Sequence, residues 1–260
     1  MPSSLFSSLR NPAKESHKGQ NGKLFVISGS AKYSGCSIFN LLAARRFVDL
    51  LYFYPGERDS FLISAVKTIP EAIVVNDFDK LAHADCVLFG GGMENLDFDY
   101  SCLGEAKKIV VDASGFNFLK PNMLDSRFIL TPHILEFERF FSIPANDENV
   151  LTMAKEHDCV ILKKGTPDLI AGREMVYRND MHNAGMTKGG TGDVLAGLVA
   201  ALACTNPNFD AAVAGACING MAGNMLFNKF GYNYCATDLA DALSLAYAEA
   251  TSAKKKGRKR

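Results

Sequence analysis

The sequence predicts an α/β fold: a central, mostly parallel sheet, mixed near one edge, flanked by helices and followed by a helical C-terminal portion. Three observations carry that expectation. Short apolar runs recur as far as Asn179, segments of helical length separate several of them, and beyond Asn179 only helical patterns remain. Buried strands that alternate with helices imply right-handed β-α-β crossovers, which pair their strands in parallel.

The first apolar run is LFVIS at 24–28, followed by LLYFY at 50–54, AIVV at 72–75 and CVLFG at 86–90. IVVDA at 109–113, FILT at 128–131 and CVILK at 159–163 continue the series. Each run is continuous rather than alternating, as strands covered on both faces should be. Between the first two, Ile38, Leu41 and Leu42 begin an apolar face at helical spacing that runs on through 45–48, with Ser34 as the expected N-cap. DLIAG and MVYRN, within 168–179, form a β-hairpin pattern turning near Gly172 and Arg173, which makes the sheet mixed at that edge. Three helices are expected over about 192–204, 209–230 and 237–253. No internal repeat or long Pro/Ser linker divides the chain. Residues 1–260 are therefore expected to form a single domain, with a flexible stretch at 1–22 and a basic tail at 254–260.

A chain of 260 residues, 48% of them hydrophobic, can bury a full core. Twenty-eight basic residues balance 28 acidic ones, so no overall field recruits nucleic acid or an anionic membrane, and an anion must be held by a local site. The seven cysteines are scattered, without a C-x-x-C pair, and are expected to be small buried hydrophobes in a reducing cytoplasm. Residues 1–22 lack the apolar block of a secretory signal. The stretch AAVAGACINGMAGNMLFN at 211–228 carries no charge, but its asparagines and glycines point to a buried helix packed through small residues rather than to a membrane span. The closing KKKGRKR has the composition of a frayed surface tail. A cytoplasmic protein with neither membrane nor nucleic acid as partner is expected.

The sharpest feature is Gly189-Gly190-Thr191-Gly192-Asp193, followed at once by VLAGLVAALA, in which Val194, Leu195, Leu198, Val199 and Leu202 recur at helical spacing. A glycine-rich turn thus opens a buried helix, leaving first-turn N–H groups and the positive end of the helix dipole open to an anion such as phosphate. Asp193 could be a simple capping residue, yet a cap needs no run of four turn residues before it. A carboxylate beside such an anion hole can take the proton from a substrate hydroxyl as that oxygen attacks a terminal phosphoryl group. The loop is not a Walker A motif, because Lys188 precedes the glycines, and GSAKYSG at 29–35 does not match GxGxxG. The expected protein is an enzyme acting on a nucleotide phosphate, with Asp193 as its acid–base group.

Five segments together resemble the ADP/ATP-dependent NAD(P)HX dehydratases of the ribokinase-like superfamily. They are GSAKYSG at 29–35, the Gly90-Gly91-Gly92 turn, Thr131-Pro132-His133 with Glu136, LKKG at 162–165 leading to Asp168, and NAGMTKGGTGD at 183–193. The resemblance implies a ribokinase-like fold and a repair reaction. The S epimer of hydrated NADH or NADPH is phosphorylated on its hydroxyl from ADP or ATP, phosphate leaves, and the double bond returns. By position it implies Asp193 as the base, with Gly189, Gly190 and Thr191 at the transferred phosphoryl group. It assigns the nucleotide to Lys164, Gly165, Thr166, Pro167, Asp168 and Gly192, and the hydrate to Cys36, Gly92, His133 and Asp193. Magnesium is implied with the nucleotide, although no dedicated metal cage is legible. A tetramer is implied as well, and with no fused epimerase domain in this sequence a separate NAD(P)HX epimerase is the expected partner. Taken without the resemblance, His133 is equally well a helix-start residue, and Lys164 a solvated strand end.

The sequence departs from the family pattern at several places. Cys36 stands for alanine, Gly91 for proline, Glu94 for a common glycine, and Ile134-Leu135 for Pro-Gly. These positions flank the nicotinamide side and bear on substrate fit more than on the phosphate site. Two alternatives stay open: a small-molecule kinase of the same superfamily, of the hydroxyethylthiazole or pyrimidine type, and a nucleotide-binding relative without catalysis.

Overall fold

The seven continuous apolar runs form seven parallel strands: β1 (Lys23–Ser28), β2 (Leu50–Pro55), β3 (Ala72–Val74), β4 (Cys86–Phe89), β5 (Ile109–Val111), β6 (Phe128–Leu130) and β7 (Val160–Lys163). The hairpin β8 (Asp168–Ala171) and β9 (Val176–Asn179) adds two antiparallel strands, giving the order β3-β2-β1-β4-β5-β6-β7-β8-β9. The computed structural model describes residues 6, 8–94 and 97–257, the last five by their backbone alone. Residues 258–260 of the basic tail lie outside the described residues.

Helices α1 (Ser34–Ala44), α2 (Ser60–Val66), α3 (Ile134–Phe141), α4 (Asp147–Glu156), α5 (Thr191–Ala203), α6 (Asn208–Phe230) and α7 (Ala236–Gly257) cover the sheet. Side chains alternate along each strand, so one strand feeds two cores. Leu24, Val26 and Leu88 pack with α1, α5 and α6, whereas Phe25, Ile27 and Phe89 face an aromatic layer with Phe116, Phe118 and Phe137. Each buried Leu, Ile or Phe contributes roughly 1.5–3 kcal/mol, which is why these runs tolerate no charge. The small residues of α5 and α6 permit close approach: a Cβ on Gly197 would lie 2.4 Å from the Asn40 carbonyl oxygen of α1. No helix among the described residues is long and apolar enough to cross a membrane.

Four expectations need amending. Ser34 is the first helical residue rather than the cap; Tyr33 occupies the N-cap without a side-chain bond, and Ser30 Oγ instead accepts from Tyr33 N at 3.2 Å to close the entering turn. The helix also stops at Ala44, leaving 45–48 outside it. Of the seven cysteines, all free, Cys86, Cys159 and Cys217 are buried while Cys235 is exposed and Cys36, Cys102 and Cys204 are half-buried. The stretch expected to be loose is anchored where it is described. Phe6 and Leu9 are buried in the α5–α7 core, Arg10 N donates to Asn206 Oδ1 at 2.8 Å, and Gly19 N and Asn21 N donate to Asp49. The few apolar residues of this polar stretch, Leu5, Phe6 and Leu9 among them, make too short a pattern for a period to be read, so the sequence does not reveal this anchoring.

The strand order places a topological switch beside β1. The chain runs from β1 outward through β2 to β3, then returns to the other side of β1 with β4. Loops leaving β1 and β4 therefore diverge, opening a crevice at the carboxyl ends of the strands. Gly29 N donates to Gly91 O at 2.7 Å across the base of that crevice.

Candidate active site

Three parallel strands deliver polar groups to this end. Asp112 follows β5, Thr131 to His133 follow β6, and Lys164 follows β7. Lys164 Nζ donates to Asp112 Oδ1 at 2.7 Å and stands 3.8 Å from Glu136 Oε2, while Thr131 Oγ1 donates to the same Asp112 oxygen at 2.8 Å. Asp112 is 3% exposed and Glu136 6%. Burial pulls the Lys164 ammonium down, but the Asp112 and Glu136 carboxylates outweigh it and hold the group above its ordinary value. Lys164 stays a cation at neutral pH, so the solvated strand-end reading does not describe it.

Asp193 lies in the first turn of α5. Burial, reinforced by the nearby Asp112 charge, raises its carboxyl to about 7, against opposing pulls from the Cys36 thiol and Lys164. Cys36, on α1, hydrogen-bonds to Asp193, and burial beside that carboxylate pushes the thiol up to about 12, so sulfur is the donor. Asn40, one turn further along α1, donates from Nδ2 to the Asp193 carbonyl at 2.9 Å. Gly91 closes the group: a Cβ there would lie 3.1 Å from Asp193 Oδ1, 3.3 Å from Asn40 Oδ1 and 3.7 Å from Cys36 Cβ. Gly92, at φ +69, abuts Tyr33 and Cys36. The two departures Cys36 and Gly91 thus face one another across the carboxylate.

Gly190 is the N-cap of α5 at φ +92, and a side chain there would strike Phe39 at 2.4 Å. Gly189 faces open space, and Gly192 faces Lys164 Nζ, 3.7 Å from where its Cβ would be. The Thr191 hydroxyl is consumed by the carbonyls of Met186 and Lys188, at 2.6 and 2.8 Å, so only its main chain is available at the helix mouth. On the other side of that mouth lies a cavity of about 360 Å³, lined by Lys164, Gly165, Thr166, Asp168, Thr191 and Gly192 among others. Asp168 accepts from Gly165 N at 2.9 Å and from Asn179 Nδ2 at 3.0 Å, which folds the 165–168 loop around its own carboxylate. Burial raises the Asp168 carboxyl despite those bonds.

The residues expected to act therefore gather in two groups that meet at α5. Cys36, Gly92 and Asp193 share the crevice; Lys164, Gly165, Thr166, Asp168 and Gly192 share the cavity, and Pro167 does not line it. His133 lines the cavity rather than standing beside Cys36, and it also starts a helix: its Nδ1 accepts from Glu136 N while Glu136 Oε2 accepts from His133 N, forming a capping box. Sequence reasoning missed Asp112 and Asn40. Asp112 carries one usable signal, its place immediately after a predicted parallel strand. No group of three or more metal-ligating side chains occurs among the described residues, and Asp112 and Glu136 are already engaged by Lys164. The donor set thus offers no resident magnesium cage.

A family model described as NAD(P)H-hydrate dehydratase matches residues 24–245. The chain belongs to the NAD(P)H-hydrate dehydratase family. The ADP-dependent (S)-NAD(P)H-hydrate dehydratase of Nitrosopumilus maritimus is 32% identical over 259 residues, covering 88% of this chain and 90% of that protein. The bifunctional NAD(P)H-hydrate repair enzyme of Archaeoglobus fulgidus is 37% identical over 253 residues, covering 88% of this chain and 52% of that enzyme. The chain spans about half the length of the bifunctional relatives it matches first. Among solved structures, a ribokinase-like superfamily protein of Enterococcus faecalis superposes with a TM-score of 0.83 at 21% identity, over 96% of this chain and 95% of that one. The ADP/ATP-dependent dehydratase of Bacillus subtilis, co-crystallized with ATP and Mg2+, gives 0.79 at 23%, over 95% and 96%. The dehydratase family and the ribokinase-like fold are thereby joined in this chain, as the five motif segments imply.

Proposed function

We propose that this dehydratase-family protein converts the S epimer of hydrated NADH or NADPH to the reduced nucleotide, using ADP or ATP as phosphoryl donor. The observation that carries the reading is Asp193, at the mouth of a glycine-opened helix, between a crevice and a nucleotide-sized cavity. The hydrate occupies the crevice beside Cys36 and Gly92, and the nucleotide occupies the cavity above Lys164 to Asp168. Asp193 removes the proton from the hydrate hydroxyl as that oxygen forms its bond to the terminal phosphorus; the bond to the leaving nucleotide oxygen breaks. Lys164 and the first-turn amides of α5 neutralise charge on the transferred group. Loss of phosphate with its bonding pair, and of a proton from the adjacent ring carbon, returns the double bond without net oxidation. Magnesium enters with the nucleotide, held by phosphate and water rather than by side chains.

Incubation with hydrated NADH and either ADP or ATP tests the reading, and the two donors assayed side by side establish the preference. Recovery of reduced-nicotinamide absorbance is the expected result. Absence of recovery, together with phosphorylation of a thiazole or pyrimidine alcohol, would replace it with a kinase of the same superfamily. A tetramer is the assembly we expect by sedimentation, and an epimerase activity is expected to supply the S epimer from the R form.

A further inference from the structure

One of the residues lining the cavity is a buried amide that the proposed chemistry does not use. Asn219, on α6, is 4% exposed, and its Oδ1 meets no donor among the described residues. Other polar groups at this end of α6 are paired: Asn224 Oδ1 accepts from Asn183 Nδ2 at 2.9 Å, and the Ala216 carbonyl accepts from Asn179 Nδ2 at 3.2 Å. A buried amide oxygen left without a donor is an exception that calls for a reason. Part of the wall around it is apolar and closely seated. Cβ atoms added to Gly220 and Gly223 would lie 2.2 Å from the Met181 carbonyl and 2.5 Å from Met186 Sδ, so both methionine segments rest directly on α6 on the Asn219 side. Leu195 of α5 also lines the space. Met181, Met186 and Leu195 give the cavity an apolar side suited to a flat heteroaromatic ring, bordered by His182 and Thr187, with Asn219 as its one amide.

An asparagine amide pairs with the edge of a 6-aminopurine, its oxygen accepting from the exocyclic amine. We propose that Asn219 is the base-reading residue of this protein, selecting adenine nucleotides through the 6-amino group. The inference rests on the cavity being the nucleotide site, and it adds the atom that distinguishes one purine from another. A purine without a 6-substituent would leave that oxygen unmet, whereas a 6-oxo purine would be met by the amide nitrogen once the side chain turns over.

The test compares ADP with purine-riboside diphosphate, which lacks the 6-amino group. It uses the full chain, both in turnover of hydrated NADH and in calorimetric binding without the hydrate. Wild-type protein should prefer ADP by about 10- to 100-fold in KM and in Kd. In Asn219→Leu the KM for ADP should rise by a similar factor with kcat nearly unchanged, and the preference over purine-riboside diphosphate should fall close to one. A wild-type protein indifferent to the 6-amino group overturns the inference without any variant. So does an Asn219→Leu protein, folded by circular dichroism, that keeps the wild-type ratio or loses both ligands equally. If Asn219→Leu does not fold, Asn219→Asp, which retains an acceptor, must keep the preference. Adenine-selective binding without turnover of the hydrate would leave Asn219 assigned and overturn the dehydratase reading instead.

Discussion

At the residue scale, Asp193 must be ionised to accept a proton, and its carboxyl sits at about 7 through burial and the nearby Asp112 charge. The kcat/KM profile is therefore expected to rise with pH through about 7, with Asp112 holding the limb up and Lys164 and Cys36 holding it down. Cys36→Ala removes a hydrogen bond to the carboxylate and should move that limb upward by about half to one pH unit. An unmoved limb would show that the thiol contributes nothing to the carboxylate's acidity. Asp193→Asn should lower turnover by roughly two to four orders of magnitude while leaving nucleotide binding intact, as calorimetry would read. Its effect on stability has the opposite sign. A carboxyl raised on folding stabilises most below its unfolded pKa, and that contribution is lost as pH climbs through the folded value near 7. The variant escapes the loss, so its melting temperature should exceed wild type by more at pH 8 than at pH 5. Equal differences at the two pH values would contradict the assigned burial. Asp193 and its glycines are legible in the sequence because they are contiguous. Asn40 and Asn219 are not, since each acquires its meaning only from what distant parts of the chain place around it, and Asp112 shows no more than its place at the end of a predicted strand.

At the scale of elements, α5 both opens the anion site and packs face-on against α1. Gly197 marks the nearest approach, with the Asn40 carbonyl 2.4 Å from where a Cβ would be, and Asn40 is itself bonded to Asp193. Alanine is the better helix former by about 1 kcal/mol. Gly197→Ala should nevertheless lower stability by about 1–3 kcal/mol in denaturant melts, because α1 must move aside. A stabilised variant would mean that the helices are not in contact there. The same displacement should reduce turnover, as Asn40 is carried with α1. Seven strands, the hairpin and the last three helices are legible from runs of apolar residues and their periods. The ends of α1 are not, because Ser30, four residues before Ser34, closes the turn and Arg45 to Val48 continue the apolar pattern past the real terminus.

At the scale of the whole molecule, the N-terminal segment is fastened to the face opposite the aromatic layer. Phe6 and Leu9 are 3% and 4% exposed. Their double replacement by alanine should destabilise the fold by several kcal/mol, roughly 2–5 for each side chain at the upper bound, while kcat stays near wild type because the strand ends lie elsewhere. Equal melting temperatures would free this segment from the core. Parallel pairing follows from the strand–helix alternation alone; the switch beside β1, and which strand lies next to which, do not, because pairing is decided by contacts among residues distant in sequence.

The bond from Gly29 N to Gly91 O has one more consequence. It stitches together two loops whose parent strands are already held at the ladder spacing of about 4.8 Å, so the floor beneath the carboxylate cannot be stretched. A bulkier or differently shaped guest cannot be admitted by spreading the backbone. It must be accommodated by exchanging the side chains that stand over this floor, and that of Cys36 is directly beside the carboxylate.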